Sequence, residues 1–369
     1  MGHIQKRSDR KYQARWLDPD GRERAQTFTR KIDAENHLKH VEGAVLHNRY
    51  VDLSNKITVT EYARQWAATR PHRATTAART ESAIKTHIEA TPLGAKRLVA
   101  VRPSEVQAWV TERSQRLAPG TVALLASILR SMLNAAVADC LIASSPAQRL
   151  SLPRAQSERI VPLGVDQVRA LADAMPPRCR ALAVAQSGLG LRIGELLALR
   201  MQDVNFLHRS VRIEHQLSRD GRELLPPKTP RSRRTLPLPD VVAAVLAEQI
   251  RLDGGSDYLF TTSRGNPYRQ LDYVRRVFNP AVLNAGLPAG TTSHCLRHHY
   301  ASVLLFAGES VVAVAERLGD TPAMVLKVYG HLMPGAEDRT RRAIDQAWTA
   351  DGRGTDGGDH RETSFLVSN

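Results

Sequence analysis

Cysteine is scarce. Cys140, Cys179 and Cys295 are spread over 369 positions and form no CxxC pair, which removes a disulfide framework and a zinc-ligand spacing and predicts ordinary reduced thiols. Long apolar runs are missing as well. By inspection no stretch approaches the ~20 apolar residues that span a bilayer, and the first thirty residues alternate charged with polar positions, without the apolar core of a signal peptide. The expectation is a cytoplasmic protein that does not engage a membrane. There is no internal repeat, no long low-complexity run, no GxxxxGK[ST] phosphate loop, no HExxH and no carboxylate cluster spaced for two metals. The usual signatures of nucleotide-driven and metal-dependent chemistry are therefore absent.

Positive charge is abundant. Lys and Arg number 52 against 37 Asp and Glu, a formal net charge of +15. A surplus of that size favours a polyanionic partner. Because the basic residues recur through the chain rather than forming one polybasic tail beside an apolar anchor, nucleic acid is favoured over an acidic membrane surface.

Length and pattern divide the chain into several parts. Tyr12 to Leu17 and Glu23 to Phe28 read as strands joined by the turn Asp18-Pro19-Asp20-Gly21, and Leu38, Val41 and Val45 then repeat at helical spacing. Lys6, Arg7, Arg10, Lys11, Arg15, Arg22 and Arg24 crowd this unit around Tyr12 and Trp16. Two readings fit: a basic sheet laid into a DNA groove, or a solvated basic face over an aromatic core. From Lys56, Thr58 and Glu61 form a capping box ahead of Tyr62 and Trp66, and helices are expected near 75–90, 103–116 and 119–139. Arg70, His72, Arg73, Arg79 and Lys85 mark the basic side of this helical unit. Residues 144–160, with Pro146 and Pro153, read as a linker. Beyond it a unit of domain size alternates helices with strands near 211–217, 222–225 and 233–238. The last two are expected to flank a hairpin turn at Pro226-Pro227-Lys228. The Gly-rich, charged end from about 350 reads as a mobile tail.

One constellation in the third unit carries chemistry. Gly190-Leu191-Arg192-Ile193-Gly194-Glu195 places an arginine at a helix start with an acid three residues on. Lys228 follows in its turn, His294-Cys295-Leu296-Arg297 sets an imidazole and a guanidinium one turn apart, and Tyr329 ends a short helix in Val328-Tyr329-Gly330-His331. Each piece alone has a structural explanation: a helix salt bridge, a surface pair, a core tyrosine.

In order and combination, Leu-Arg-Ile-Gly-Glu-Leu-Leu-Ala-Leu-Arg, Pro-Lys-Thr with Arg233-Arg234, His-Cys-Leu-Arg-His, Leu-Gly-Asp and Tyr-Gly-His-Leu closely resemble the tyrosine recombinase family, and the tripartite layout resembles its phage integrases. The resemblance implies a multidomain, mainly α fold with small β-sheets (α+β). Its parts are an arm-type DNA-binding domain at 1–54, a helical core-binding domain at 56–145, a mixed α/β catalytic domain at 158–349 and a tail at 350–369. It implies that Arg192, Lys228, His294, Arg297 and Tyr329 occupy the active positions. Tyr329 forms a 3′-phosphotyrosyl link, Lys228 protonates the leaving 5′-oxygen, the two arginines clamp the phosphate, and His294 either assists proton transfer or holds a phosphate oxygen. No cofactor is needed, since one phosphodiester is exchanged for another. The implied partners are double-stranded DNA at core and arm-type sites, three further protomers in a tetramer, and an excision factor or DNA-bending host protein. The sequence departs from the family at Asp320, where His or Trp is usual. An ionised carboxylate repels phosphate, so Asp320 is expected either to bind Arg or Lys, to point away, or to cap the helix from Pro322. Glu195 is expected to orient Arg192. The rival readings are a type IB topoisomerase-like enzyme and a DNA-binding regulator whose catalytic unit has decayed.

Overall fold

The computed structural model describes residues 2–47, 49–71, 73–154, 160–227, 229–253, 256–333 and 337–351. The chain falls into two compact units, Met1–Ser157 and Glu158–Asn369.

The first unit opens with an antiparallel sheet, β1 (His3–Lys6), β2 (Tyr12–Leu17) and β3 (Glu23–Phe28), in the order β1-β2-β3. Helix α1 (Lys31–Leu46) follows and covers one face. The pleat sorts the side chains. Ala14 is fully buried and, with Tyr12 and Trp16, belongs to the covered face, where the Trp16 ring meets His37 edge-on at 5.1 Å. His3, Gln5, Gln13, Arg15 and Thr27 alternate onto the other face. In the turn, the Asp18 carboxylate accepts the backbone N–H groups of Asp20 and Arg22, as the sequence chemistry predicts.

The rest of this unit is helical: α2 (Val59–Ala68), α3 (Ala74–Ile84) continuing through a π-helical turn (Lys85–Glu89), the short α4 (Pro92–Ala95), α5 (Pro103–Ser114) and α6 (Pro119–Ala138). The Thr58–Glu61 capping box starts α2. Tyr62, Trp66, Ile88, Trp109, Leu129, Met132 and Leu133 share one core. Contrary to the sequence expectation, α6 is by length and composition apolar enough to cross a bilayer. Its Val122, Leu125, Leu129, Met132 and Leu133 are instead buried in this core, which is how a bundle uses a strongly apolar helix.

The second unit contains α7 (Val165–Asp173), α8 (Arg180–Leu189), α9 (Ile193–Leu197), the strands β4 (Val204–Asn205), β5 (Ser210–Ile213), β6 (Gln216–Leu217), β7 (Leu224–Leu225) and β8 (Arg234–Pro237), and then α10 (Asp240–Asp253). After these come α11 (Gln270–Tyr273), a π-helical turn (Val274–Phe278) and α12 (Asn279–Asn284). The unit ends with α13 (Ser293–Phe306), α14 (Val311–Leu318), α15 (Pro322–Tyr329), a 3-10 turn (Gly330–Leu332) and α16 (Glu337–Asp351).

Two expectations need correction. The strands near 222–225 and 233–238 do not pair with each other: β7 pairs with β6, and β8 with β5. The run expected near 211–217 breaks into β5 and β6, so the Pro-rich segment joins two sheets instead of closing a hairpin. Lys228 itself lies outside the described residues, as do His72 and 352–369 of the expected tail; residues 350 and 351 still belong to α16.

Two cores meet along α13. Leu171, Leu182, Leu189, Leu196, Val211, Leu246, Phe260, Phe278 and Leu296 build the larger. Tyr300, Leu305, Val314, Leu318, Val325 and Tyr329 build the smaller. The first turns of α13 thus stand at the seam, where polar side chains face each other across packed helices.

Candidate active site

Two helix ends build the cationic part of the site. Helix α8 stops at Gly190, which has φ +63°, and a Cβ there would lie 2.3 Å from the Tyr300 ring. Helix α14 stops at Gly319, also φ +63°, whose added Cβ would crowd the Arg231 carbonyl at 3.1 Å. Only glycine meets both conditions cheaply. These terminations leave carbonyls at the negative ends of the helices, and guanidiniums take them. Arg297 donates from Nη1 to the Gly190 oxygen at 2.8 Å and from Nη2 to the Leu318 oxygen at 2.8 Å, and Arg192 Nη2 donates to the Gly319 oxygen at 3.3 Å.

Arg192 is the residue ahead of α9, and Glu195 accepts both its backbone N–H, at 3.0 Å, and its Nη1, at 3.0 Å. Glu195 is 3% exposed and has a second cation: Arg234 on β8 donates to both carboxylate oxygens, at 2.9 and 3.3 Å. Burial alone would raise the Glu195 pKa, but the Arg234 and Arg192 charges and hydrogen bonds outweigh it and hold the carboxyl below its usual range. Arg234 also donates to the carbonyls of Ser232 and Arg317, tying the start of β8 to α14. Arg234 lies beside Arg233 in the sequence motif, but its link to Glu195 crosses 39 residues and is not visible in local spacing.

Asp320 settles among the three expected outcomes. Its Oδ2 accepts from Arg192 Nη2 at 3.2 Å and from Arg297 Nη2 at 2.8 Å. The cap of α15 is Thr321, whose hydroxyl accepts the Met324 N–H, so the capping expectation for Asp320 is wrong. One carboxylate oxygen thus sits between two guanidiniums, in the manner of a phosphate oxygen. Arg297 is only 2% exposed. Burial, with Arg192 and Arg234 nearby, pushes its pKa down to about 10 against the pull of Glu195 and Asp320, which still leaves it charged at neutral pH.

The tyrosine side of the site is built by α13 and α15. Tyr329 is 4% exposed, at the last position of α15. Burial raises its phenol to about 12, with Arg297 opposing and Asp320 reinforcing the shift. His298 Nδ1 lies 2.8 Å from the Tyr329 hydroxyl, and His294 packs edge-on to His298 with ring centroids 4.6 Å apart. His294 is solvent-facing at the start of α13; partial desolvation and then Arg297 and Arg192 hold its pKa below the ordinary value. His299 is a contrast: its Nδ1 donates to the Leu163 carbonyl at 2.7 Å inside the protein. His331 lies against the Ile160 carbonyl. Of the expected residues, Arg192, His294, Arg297, Asp320 and Tyr329 come together. His298 lies in the His-Cys-Leu-Arg-His motif, but its tie to Tyr329 is tertiary and leaves no mark in the sequence pattern.

The expected DNA-contacting residues stand differently. In the sheet unit Arg7 and Lys11 lie 3.9 and 3.6 Å from Asp9, Arg15 lies 3.1 Å from Glu23, and Arg22 lies 3.8 Å from Asp20. Arg24 is held by Asp18 and Asp52 at 3.0 and 2.6 Å. Lys6 is exposed on β1, and Arg73 stands just ahead of α3. In the helical unit, Arg70 lies over the Trp66 ring at 4.9 Å.

Comparison with known proteins agrees with this geometry. Residues 162–334 match the model of the phage integrase family, and residues 1–46 match that of the phage integrase N-terminal domain. An integrase attributed to prophage phiRv2 of Mycobacterium tuberculosis is 27% identical over 354 residues, covering 91% of this chain and 93% of the relative. The integrase of Mycobacterium phage L5 is 25% identical, covering 88% and 92%. Among solved structures, the Tn1549 transposon integrase in complex with a circular intermediate DNA superposes with a TM-score of 0.69 at 24% identity, covering 79% of this chain and 99% of that one. A lambda integrase tetramer bound to a Holliday junction superposes with a TM-score of 0.62 at 16% identity, covering 87% and 94%.

Proposed function

The chain belongs to the phage integrase family of tyrosine recombinases, site-specific DNA recombinases, and from that premise we propose that it integrates or excises a mobile DNA element through covalent attachment of DNA to Tyr329. The convergence of the Arg192 and Arg297 Nη2 atoms on one anionic oxygen, beside the phenol of Tyr329, carries this reading. A phosphodiester entering the site displaces Asp320 and takes both guanidiniums. Tyr329 attacks phosphorus, the bond to the 5′-oxygen breaks, and Lys228 supplies the proton that makes it a hydroxyl. Charge developing on the non-bridging oxygens meets donors already fixed by the Gly190 and Leu318 carbonyls and by Glu195, so little reorganisation is needed. A second 5′-hydroxyl then attacks the phosphotyrosine and rejoins the strands. His294, solvent-facing at the start of α13, is placed to hold a phosphate oxygen or pass a proton.

In this reading residues 1–54 bind arm-type sites, 56–145 grip the core site and 158–349 carry the chemistry. The uncovered sheet face, with Gln5, Gln13, Arg15 and Thr27, offers amide, guanidinium and hydroxyl groups of the kinds that read base edges in a major groove. Because residues 1–54 hold 11 Lys and Arg against 8 Asp and Glu, and most of the basic cluster near the turn is ion-paired, direct readout there outweighs bulk charge. The assembly is a tetramer on two sites, with an excision factor or DNA-bending host protein setting direction.

Covalent selection tests this function. The protein is incubated with nicked duplexes of randomised core sequence, and protein-linked strands are recovered and sequenced. Recovery of 3′-linked strands with a consensus is expected. Sequence-indifferent relaxation of supercoiled plasmid would favour the topoisomerase reading, and sequence-specific binding without any adduct would favour the decayed regulator.

A further inference from the structure

The Tyr329 hydroxyl has a specific partner that the proposed chemistry does not yet use. His298 lies one residue beyond Arg297 on α13, and its Nδ1 is 2.8 Å from the phenol oxygen with the two rings tilted at 64°. We infer that His298 is the proton acceptor of the nucleophile: the Tyr329 O–H donates to Nδ1 in the resting enzyme, and the proton moves to that nitrogen as the phenol oxygen bonds to phosphorus. The inference rests on the reading of Tyr329 as nucleophile.

The surroundings keep His298 in the required form. Its charged and titratable neighbours are His294 and Arg297 on its own helix and Tyr329 on α15, with Asp320 beyond Arg297. Burial, followed by His294 and Arg297, lowers its pKa to about 4, so the ring carries one proton at neutral pH. With that proton on Nε2, the Nδ1 lone pair faces the phenol. An isolated transfer from a phenol near 12 to an imidazole near 4 is steeply uphill. Transfer therefore happens in concert with bond formation, when the phenol oxygen loses its basicity and the crowded negative charge on phosphorus favours an imidazolium close by. The books balance: the Tyr329 O–H bond breaks and an N–H forms on His298, the P–O(Tyr) bond forms, the bond to the 5′-oxygen breaks, and that oxygen takes a proton from Lys228. On rejoining, His298 returns its proton to the departing phenol oxygen.

The test is single-turnover cleavage of the selected core site across pH 6–9. The substrate carries a 5′-bridging sulfur, so that leaving-group protonation does not limit the rate. His298→Ala is expected to cut the rate at pH 7 by about 100-fold or more. The wild-type-to-variant ratio should shrink about tenfold per pH unit as free phenolate takes over, and added imidazole should restore part of the rate. His298→Asn, whose amide oxygen stands in for Nδ1 as an acceptor but cannot take the proton, should show the same decline of the ratio with pH, starting from a smaller loss at pH 7. It serves as the measured variant if the alanine protein melts early. A rate within about threefold of wild type, or a loss that is constant with pH and unmoved by imidazole, would overturn the inference. Cleavage by Tyr329→Phe would instead overturn the nucleophile assignment beneath it.

Discussion

Replacing Asp320 by Asn keeps the shape of the side chain and removes the charge that sits between Arg192 and Arg297. Both guanidiniums donate to one oxygen, at 3.2 and 2.8 Å, so their Nη2 atoms are no more than those two distances apart end to end. At such a separation two positive charges repel by about 3 kcal/mol with an effective dielectric near 20. Asp320 is about a third exposed, so solvent trims the effect, and about 1 kcal/mol of lost stability is the expected size. The same change removes the anion that DNA phosphate must displace. Asp320→Asn should therefore melt a few degrees lower without DNA, recover more than wild type when sulfate is added, and bind core DNA up to about tenfold more tightly, a factor worth 1.4 kcal/mol. Cleavage should persist. Thermal melts with and without sulfate, gel-shift titrations and single-turnover cleavage read these three quantities. Unchanged melting with unchanged affinity would refute the placeholder role, and a cleavage loss as deep as that of Tyr329→Phe would make the carboxylate itself catalytic.

Glu195→Gln leaves Arg234 deep in the protein with a neutral partner and should cost about 3–5 kcal/mol in denaturant unfolding. Because the folded-state pKa of Glu195 is depressed, its stabilisation is complete above the ordinary carboxyl range and drains as pH falls below it; the Gln variant should show a shallower acid limb. Lys228→Ala should be rescued substantially by the 5′-bridging sulfur substrate, and stronger rescue of His294→Ala would move the acid role to His294. A protein beginning at Lys56 should cleave core sites normally while losing arm-site binding; equal losses on core-only and full-length sites would make residues 1–54 a stabilising appendage instead.

What could be read from sequence followed the range of the forces involved. The capping box at Thr58 and the turn at Asp18 are local, and both formed as their residues require. The arginine, histidine and tyrosine positions that the fold brings together could be picked out as candidates because their order along the chain is distinctive. Strand pairing was misjudged because β7 and β8 are neighbours in sequence but partners of different strands, a choice made by packing across the unit. The capping role offered to Asp320 failed because Thr321 is one residue nearer Pro322 and supplies the same oxygen. The crowding of Arg7, Lys11, Arg22 and Arg24 read as free positive charge, yet Asp9, Asp18, Asp20 and Asp52 fold back onto it. His298 and Arg234 lie within the motifs, but their partners, Tyr329 and Glu195, are 31 and 39 residues away.

The most direct measurement locates the covalent bond. Protein trapped on a nicked core-site duplex is digested with protease and nuclease, and the peptide carrying the residual nucleotide is sequenced by mass spectrometry. The account predicts a single adduct, a 3′-phosphate on the oxygen of Tyr329, absent from the Tyr329→Phe protein. An adduct on any other side chain, or undiminished trapping by the Phe variant, would contradict it.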